Sequence, residues 1–212
     1  MYHNPIAHSW ECSYTVDPAI LRFHQSLLNF TETPLHQLPS SVSKELGVGK
    51  VLLKDESSRA GLPAFKILGA SWATYRALAC RLDLPLTALL DVVKDAASRA
   101  ILELYTATDG NHGRAVARMA GIFGVGVRVY VPGVMDEKTK ALIRQEGARV
   151  VVVDGDYDAA VERSEQDSIN SGGILIQDTA WPGYEEVPQV SQLVTDSTNT
   201  EAPSGSSTAT QP

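Results

Sequence analysis

Three places along the chain hold residues that could share one reaction. The first is Lys66, set between Ala64 and Phe65 on one side and Ile67, Leu68, Gly69 and Ala70 on the other. A lysine stem among apolar neighbours expects partial burial. Burial disfavours the ammonium form and lowers an amine pKa from its free value of roughly 10.4. An uncharged amine attacks an aldehyde and forms a Schiff base. The competing reading is a snorkelling side chain, stem buried and head in water. The second place is the stretch Thr108, Asp109, Gly110, Asn111, His112, Gly113. Gly110 and Gly113 permit a tight turn and a close backbone approach. A helix expected to open at Gly113 offers free N–H groups and a positive dipole end to an anion. An ordinary glycine turn explains the glycines alone; Asp109, Asn111 and His112 beside them make the stretch more specific. The third place is Asp178, a carboxylate at the end of an apolar run. Its alternative role is to cap the turn through Thr179, Ala180 and Trp181.

Residues so far apart need a frame that brings them to one edge. From Ile101 onward, near-continuous apolar runs alternate with amphipathic stretches. Strands are expected at 101–107, 127–131, 149–153 and 174–177. Helices are expected at 114–123, from Asp136 to about Glu146, and at 157–170. That alternation specifies an α/β fold: a parallel sheet with helices on both faces. In such sheets ligands bind outside the carboxyl ends of the strands. Thr108 to Gly113 and Asp178 both follow strands there. Before this unit, short helices are expected at 18–28 and 41–46, with Trp10 and Tyr14 as anchors of the irregular start. A strand at 51–54, a polar loop and a helix from Ile67 to about Arg81 place Lys66 at a strand–loop–helix junction. Pro85 is expected to open another helix with Leu86, Leu89, Leu90, Val93, Ala97 and Ala100 on one face. The expected division is 1–81, 82–178 as a smaller βα domain, and 179–189 as a return segment. Residues 190–212, rich in Ser, Thr, Pro and Gly, have the composition of a disordered tail.

The 212 residues are 43% hydrophobic and 20% charged, as in soluble globular proteins. A net charge of −7 argues against nucleic acid as partner. Cys12 and Cys80 form no disulfide framework and no zinc pattern, so no metal is expected. No signal-peptide core and no membrane span are evident, which points to the cytoplasm.

The motifs together carry a resemblance. Lys66 in its apolar setting, the Lys54-Asp55-Glu56-Ser57 segment before it, and Thr108 to Gly113 after it are similar to pyridoxal-phosphate enzymes of the tryptophan-synthase-β type. Most dehydratases of that group carry a small residue where this chain has Asp109. Asp109 in its loop, with Gln177-Asp178-Thr179-Ala180-Trp181-Pro182-Gly183-Tyr184, resembles the diaminopropionate ammonia-lyases. Thr33-Pro34-Leu35 and the segment at Tyr130 agree, and the likeness runs over roughly residues 10–189. The resemblance implies fold type II and pyridoxal 5′-phosphate as cofactor. Lys66 would hold the cofactor aldehyde as a Schiff base, and Asn111 would bond its 3′-hydroxyl. Thr108, Gly110, His112 and Gly113 would lie near the substrate carboxylate. Asp109 and Asp178 would take the α-proton from the D- and L-isomers of 2,3-diaminopropionate, giving pyruvate and ammonia. The partner would be a small amino acid, and a homodimer is compatible with the resemblance.

Members of that group continue beyond the point, near Pro188, where the likeness stops. Their later half supplies a glycine-rich phosphate loop and most of the larger domain. The chain is therefore expected to be a truncated, N-terminal half, with residues 1–81 belonging to the larger domain. Two other readings stand beside the lyase: a non-catalytic remnant, and a serine/threonine dehydratase-like enzyme, against which Asp109 speaks.

Overall fold

Apolar runs bounded by glycines build the sheet that carries the molecule. In the computed structural model, residues 17–27 and 30–191 are described. The expectations for Trp10, Tyr14, Leu28 and the tail from residue 192 lie outside them. The order is α1 (Pro18–Ser26), β1 (Leu35–Gln37), α2 (Ser40–Leu46), β2 (Leu52–Lys54), α3 (Lys66–Arg81), α4 (Leu90–Arg99), β3 (Glu103–Ala107), α5 (Asn111–Phe123), β4 (Gly126–Pro132), α6 (Glu137–Gln145), β5 (Arg149–Val153), α7 (Tyr157–Ser171) and β6 (Ile174–Leu175). Residues 186–191 are helical.

The main sheet runs β5-β4-β3-β6, every neighbouring pair parallel. Alternate side chains point to opposite faces of a strand. Leu104, Val127, Val129 and Val131 thus join a core with α3, α4 and α5. Tyr105, Ala107 and Tyr130 meet Ala160 of α7 on the other face. The expected α/β fold, with helices on both faces of a parallel sheet, is what the chain adopts. The main core runs continuously from Ile20 to Val190, across residues 81 and 82. A separate antiparallel pair, β1 with β2, sets Leu35 opposite Lys54 and Gln37 opposite Leu52. No helix among the described residues is long and apolar enough to cross a membrane.

Several element edges differ from expectation, each for a physical reason. The helix expected from Pro85 begins at Leu90, and Leu86 and Leu89 are exposed. The intervening residues are held as a turn instead: the Tyr75 hydroxyl donates to the carbonyls of Leu86 and Ala88, and Ala88 N–H bonds Pro85 O. Strand β3 begins at Glu103, leaving Ile101 fully exposed. Strand β6 is only two residues long, because the Ala107 N–H beyond it is taken by the Gln177 side chain rather than by backbone. Val190 and Ser191, expected in the tail, are helical and buried.

Candidate active site

Lys66 is the first residue of α3, at the seam where α3 packs along α5. Its Nζ donates to Asp178 Oδ2 at 2.5 Å and lies 5.6 Å from the centre of the Phe65 ring. The expected apolar burial is not found. The lysine side chain keeps 39% of its exposure, and its nearest partner is a carboxylate that is itself 18% exposed. The snorkelling reading describes the head group better, although what the head reaches is Asp178.

Asp178 is fixed by the residue before it. Gln177 is fully buried. Its Oε1 accepts from the Thr106 hydroxyl and from Ala107 N–H, at 3.1 and 3.0 Å. Its Nε2 donates to the Tyr157 hydroxyl at 2.7 Å. Its own N–H bonds the Tyr184 hydroxyl, which in turn donates to Leu175 O. The chain leaving β6 is thereby tied to β3, to α7 and to the turn that follows, and the Asp178 carboxylate is delivered to Lys66. Burial works against the Asp178 charge, but His112 and Lys66 opposite it hold the carboxyl below its ordinary value.

The turn between β3 and α5 is tighter than expected, since α5 starts at Asn111 rather than at Gly113. Gly110 takes φ 155 and ψ −88, a conformation open in practice only to glycine. The Thr108 hydroxyl then accepts the N–H groups of Gly110 and Gly113, at 2.9 and 3.0 Å. This cap lets the helix begin early. It also removes those two amides from the set offered to a ligand, leaving the Asn111 and His112 N–H groups without partners among the described residues. A Cβ on Gly113 would stand 2.4 Å from Thr108 Cγ2 and 2.8 Å from Val129 Cγ1, so the helix seats on β4 only with glycine there. Asp109 and Asn111 are exposed at the rim. A cleft of about 440 Å³ is lined by Lys66, Asp109, Asn111, Tyr157, Asp178 and Thr179. A second, of about 840 Å³, shares Lys66, His112 and Asp178 and extends along Gly69 and Glu185.

All eight residues singled out in the sequence thus converge: Lys66, Thr108, Asp109, Gly110, Asn111, His112, Gly113 and Asp178. They do not stand equally. Thr108 and Gly113 are buried in the cap, and His112 lies behind Asp178. Sequence reasoning gave no role to Gln177 and Tyr184, quoted only as part of a motif, and none to Tyr157. Gln177 carried a signal, a polar residue closing the apolar run Ile174-Leu175-Ile176. Tyr157, at the start of an unremarkable helix, carried none.

Comparison with known proteins bears on this arrangement. The family described as pyridoxal-phosphate dependent enzyme matches residues 27–198. A diaminopropionate ammonia-lyase of Salmonella typhimurium is 40% identical over 175 residues, which is 80% of this chain and 43% of the relative. The apo crystal structure of Escherichia coli diaminopropionate ammonia lyase is 34% identical with a TM-score of 0.75, covering 85% of this chain and 49% of that one. The same enzyme in complex with an aminoacrylate-PLP azomethine reaction intermediate gives a TM-score of 0.75 at 32% identity, covering 85% and 45% of the two chains. The chain spans less than half the length of these relatives. With Lys66 opening α3 and the glycine turn opening α5 at the carboxyl edge of a parallel sheet, it belongs to the pyridoxal-phosphate dependent enzyme family.

Proposed function

We propose that this chain carries the lysine and the two carboxylates of a cytoplasmic, pyridoxal-phosphate-dependent lyase site acting on 2,3-diaminopropionate. One observation carries the reading: the Lys66 amine meets Asp178 at 2.5 Å beside a cleft whose rim holds Asp109 and Asn111. The residues present fit the cofactor. An amine at the cleft can bind its aldehyde covalently, an exposed amide can bond its ring hydroxyl, and the unpartnered N–H groups of Asn111 and His112 suit an anion. The cofactor, when bound, serves as the electron sink for charge developing at the substrate α-carbon.

The chain's own residues then divide the work. Lys66 would hold the cofactor and Asn111 would orient it. Asp178 accepts the α-proton of the L-isomer and Asp109 that of the D-isomer, since removal from opposite faces requires bases on opposite sides. Loss of the β-amine as ammonia, followed by hydrolysis of the remaining enamine by water, gives pyruvate and a second ammonia. A substrate with two ammonium groups suits a cleft lined by two carboxylates, Asp109 and Asp178. A serine/threonine dehydratase reading gains nothing from Asp109.

The test is covalent labelling. The 212-residue chain, incubated with pyridoxal phosphate and reduced with borohydride, should carry its label on Lys66, and Lys66→Ala should lose it. Label spread across Lys50, Lys54 and Lys138 would sink the reading as adventitious surface chemistry.

A further inference from the structure

His112 is a buried titratable group beside Asp178 to which the lyase reading gives no chemical task. It is 6% exposed. Its Nε2 lies 2.9 Å from the Ile176 carbonyl. A carbonyl only accepts, so Nε2 carries a hydrogen and donates it. In the neutral ring Nδ1 is then a bare lone pair. That lone pair faces Asp178 Oδ2 at 3.6 Å, and with side chains only 6% and 18% exposed the repulsion is weakly screened. The arrangement is favourable when Nδ1 carries a proton and the pair is oppositely charged. Oδ2 already accepts from Lys66 Nζ, which makes Nδ1 the better resting place.

We propose that His112 and Asp178 form an imidazole–carboxylate couple, an ion pair across 3.6 Å when Nδ1 is protonated, with His112 as the positioning residue of the base. The inference rests on the role given to Asp178 above. Its consequence is that Asp178 stays ionised and correctly turned without depending on the Lys66 charge alone. The charged groups facing His112 from the elements packed on it are Asp178, after β6, and Lys66, on α3; the Ile176 carbonyl completes its surroundings. Burial acts most strongly and leaves the imidazole below its ordinary value, against the upward pull of Asp178 and of the Ile176 carbonyl, while Lys66 pushes it down further. The couple therefore titrates as a pair rather than as two separate groups.

The experiment needs no cofactor, so its failure is separable from failure of the labelling test. The unaltered chain, with nitrogen-15 histidine and carbon-13 aspartate, is titrated by NMR. The Nδ1 resonance of His112 and the carboxyl resonance of Asp178 should pass through common inflections. In Asp178→Asn the His112 inflection should move to lower pH, and in Lys66→Ala to higher pH. Independent inflections in the unaltered chain, or a neutral His112 beside an ionised Asp178 at neutral pH, would overturn the couple. So would an inflection of His112 that ignores Asp178→Asn. The unaltered chain decides by itself if a variant fails to fold.

Discussion

The two sheets of the molecule are held by different physics. In the parallel sheet, β3 and β4 are sealed on both faces, with Leu104, Tyr105, Val129 and Tyr130 all fully buried. The β1–β2 pair contributes nothing to either apolar core among the described residues. Its Leu35, Leu52 and Leu53 keep 43%, 50% and 53% of their exposure. What anchors the pair is polar. Arg59, 3% exposed, donates to Glu56 and to the Thr33 hydroxyl. The Thr33 hydroxyl donates to Glu56, and Lys54 Nζ reaches Thr33 O. Burial thus sets the parallel unit, and a charge network sets the antiparallel one. Lys66 follows the second region, while Asp109, Asn111 and Asp178 belong to the first. The site lies at their seam, and its geometry depends on α3 packing along α5.

The largest effect should come from cutting into the buried side of that seam. Phe123 is fully buried at the end of α5. Phe123→Ala removes a ring from a close-packed region and leaves a cavity, at a cost of about 3–5 kcal/mol. Urea unfolding followed by tryptophan fluorescence should show the loss as a lower midpoint with an unchanged slope. A cost below about 1 kcal/mol would mean that the core is looser than its burial indicates.

A smaller and pH-dependent effect should mark the polar region. Burial opposes the Glu56 charge, but Arg59 and Thr33 bonded to it hold its carboxyl below the ordinary value. A carboxyl depressed in the folded state contributes stability above its unfolded pKa, roughly 4.3, and loses it as pH falls through the folded value. Mild acid should therefore loosen β1–β2 before the parallel sheet. Amide exchange read at Leu52–Lys54 and at Glu103–Ala107 separates the two. Equal change in both places on acidification would break the comparison, and Glu56→Gln should reproduce the acid effect at neutral pH.

What was legible in the sequence follows the same division. Runs such as Val127–Val131 can only be buried strands, so the parallel unit was readable from hydrophobic pattern alone. The residues of the site were readable because amines, carboxylates and glycines at strand ends are few. Their roles were less so. The Thr108 hydroxyl lines the cleft and also caps the backbone, a second use that nothing local in the sequence announces. The Lys66 surroundings were misjudged because flanking Phe65 and Ile67 say nothing of Asp178, 112 positions away. The start of α4 was misplaced because a tertiary bond from Tyr75 overrides the helical pattern after Pro85. Long-range polar contacts leave no periodic trace.

The smallest effect should appear on the exposed face of β2. Leu53 stands opposite His36 in the pair and keeps half of its surface in water. A side chain that buries so little loses little when removed. Leu53→Ser should change stability by no more than about 0.5 kcal/mol. The contrast with Phe123 is the point, since both residues are large and apolar and only their burial differs. The measurement is urea unfolding at two protein concentrations well apart. A cost near that of Phe123→Ala, or a wild-type midpoint that rises with concentration and ceases to do so in Leu53→Ser, would show this face covered in solution. The antiparallel pair would then owe its stability to apolar contact as well, and the division between the two sheets would fail.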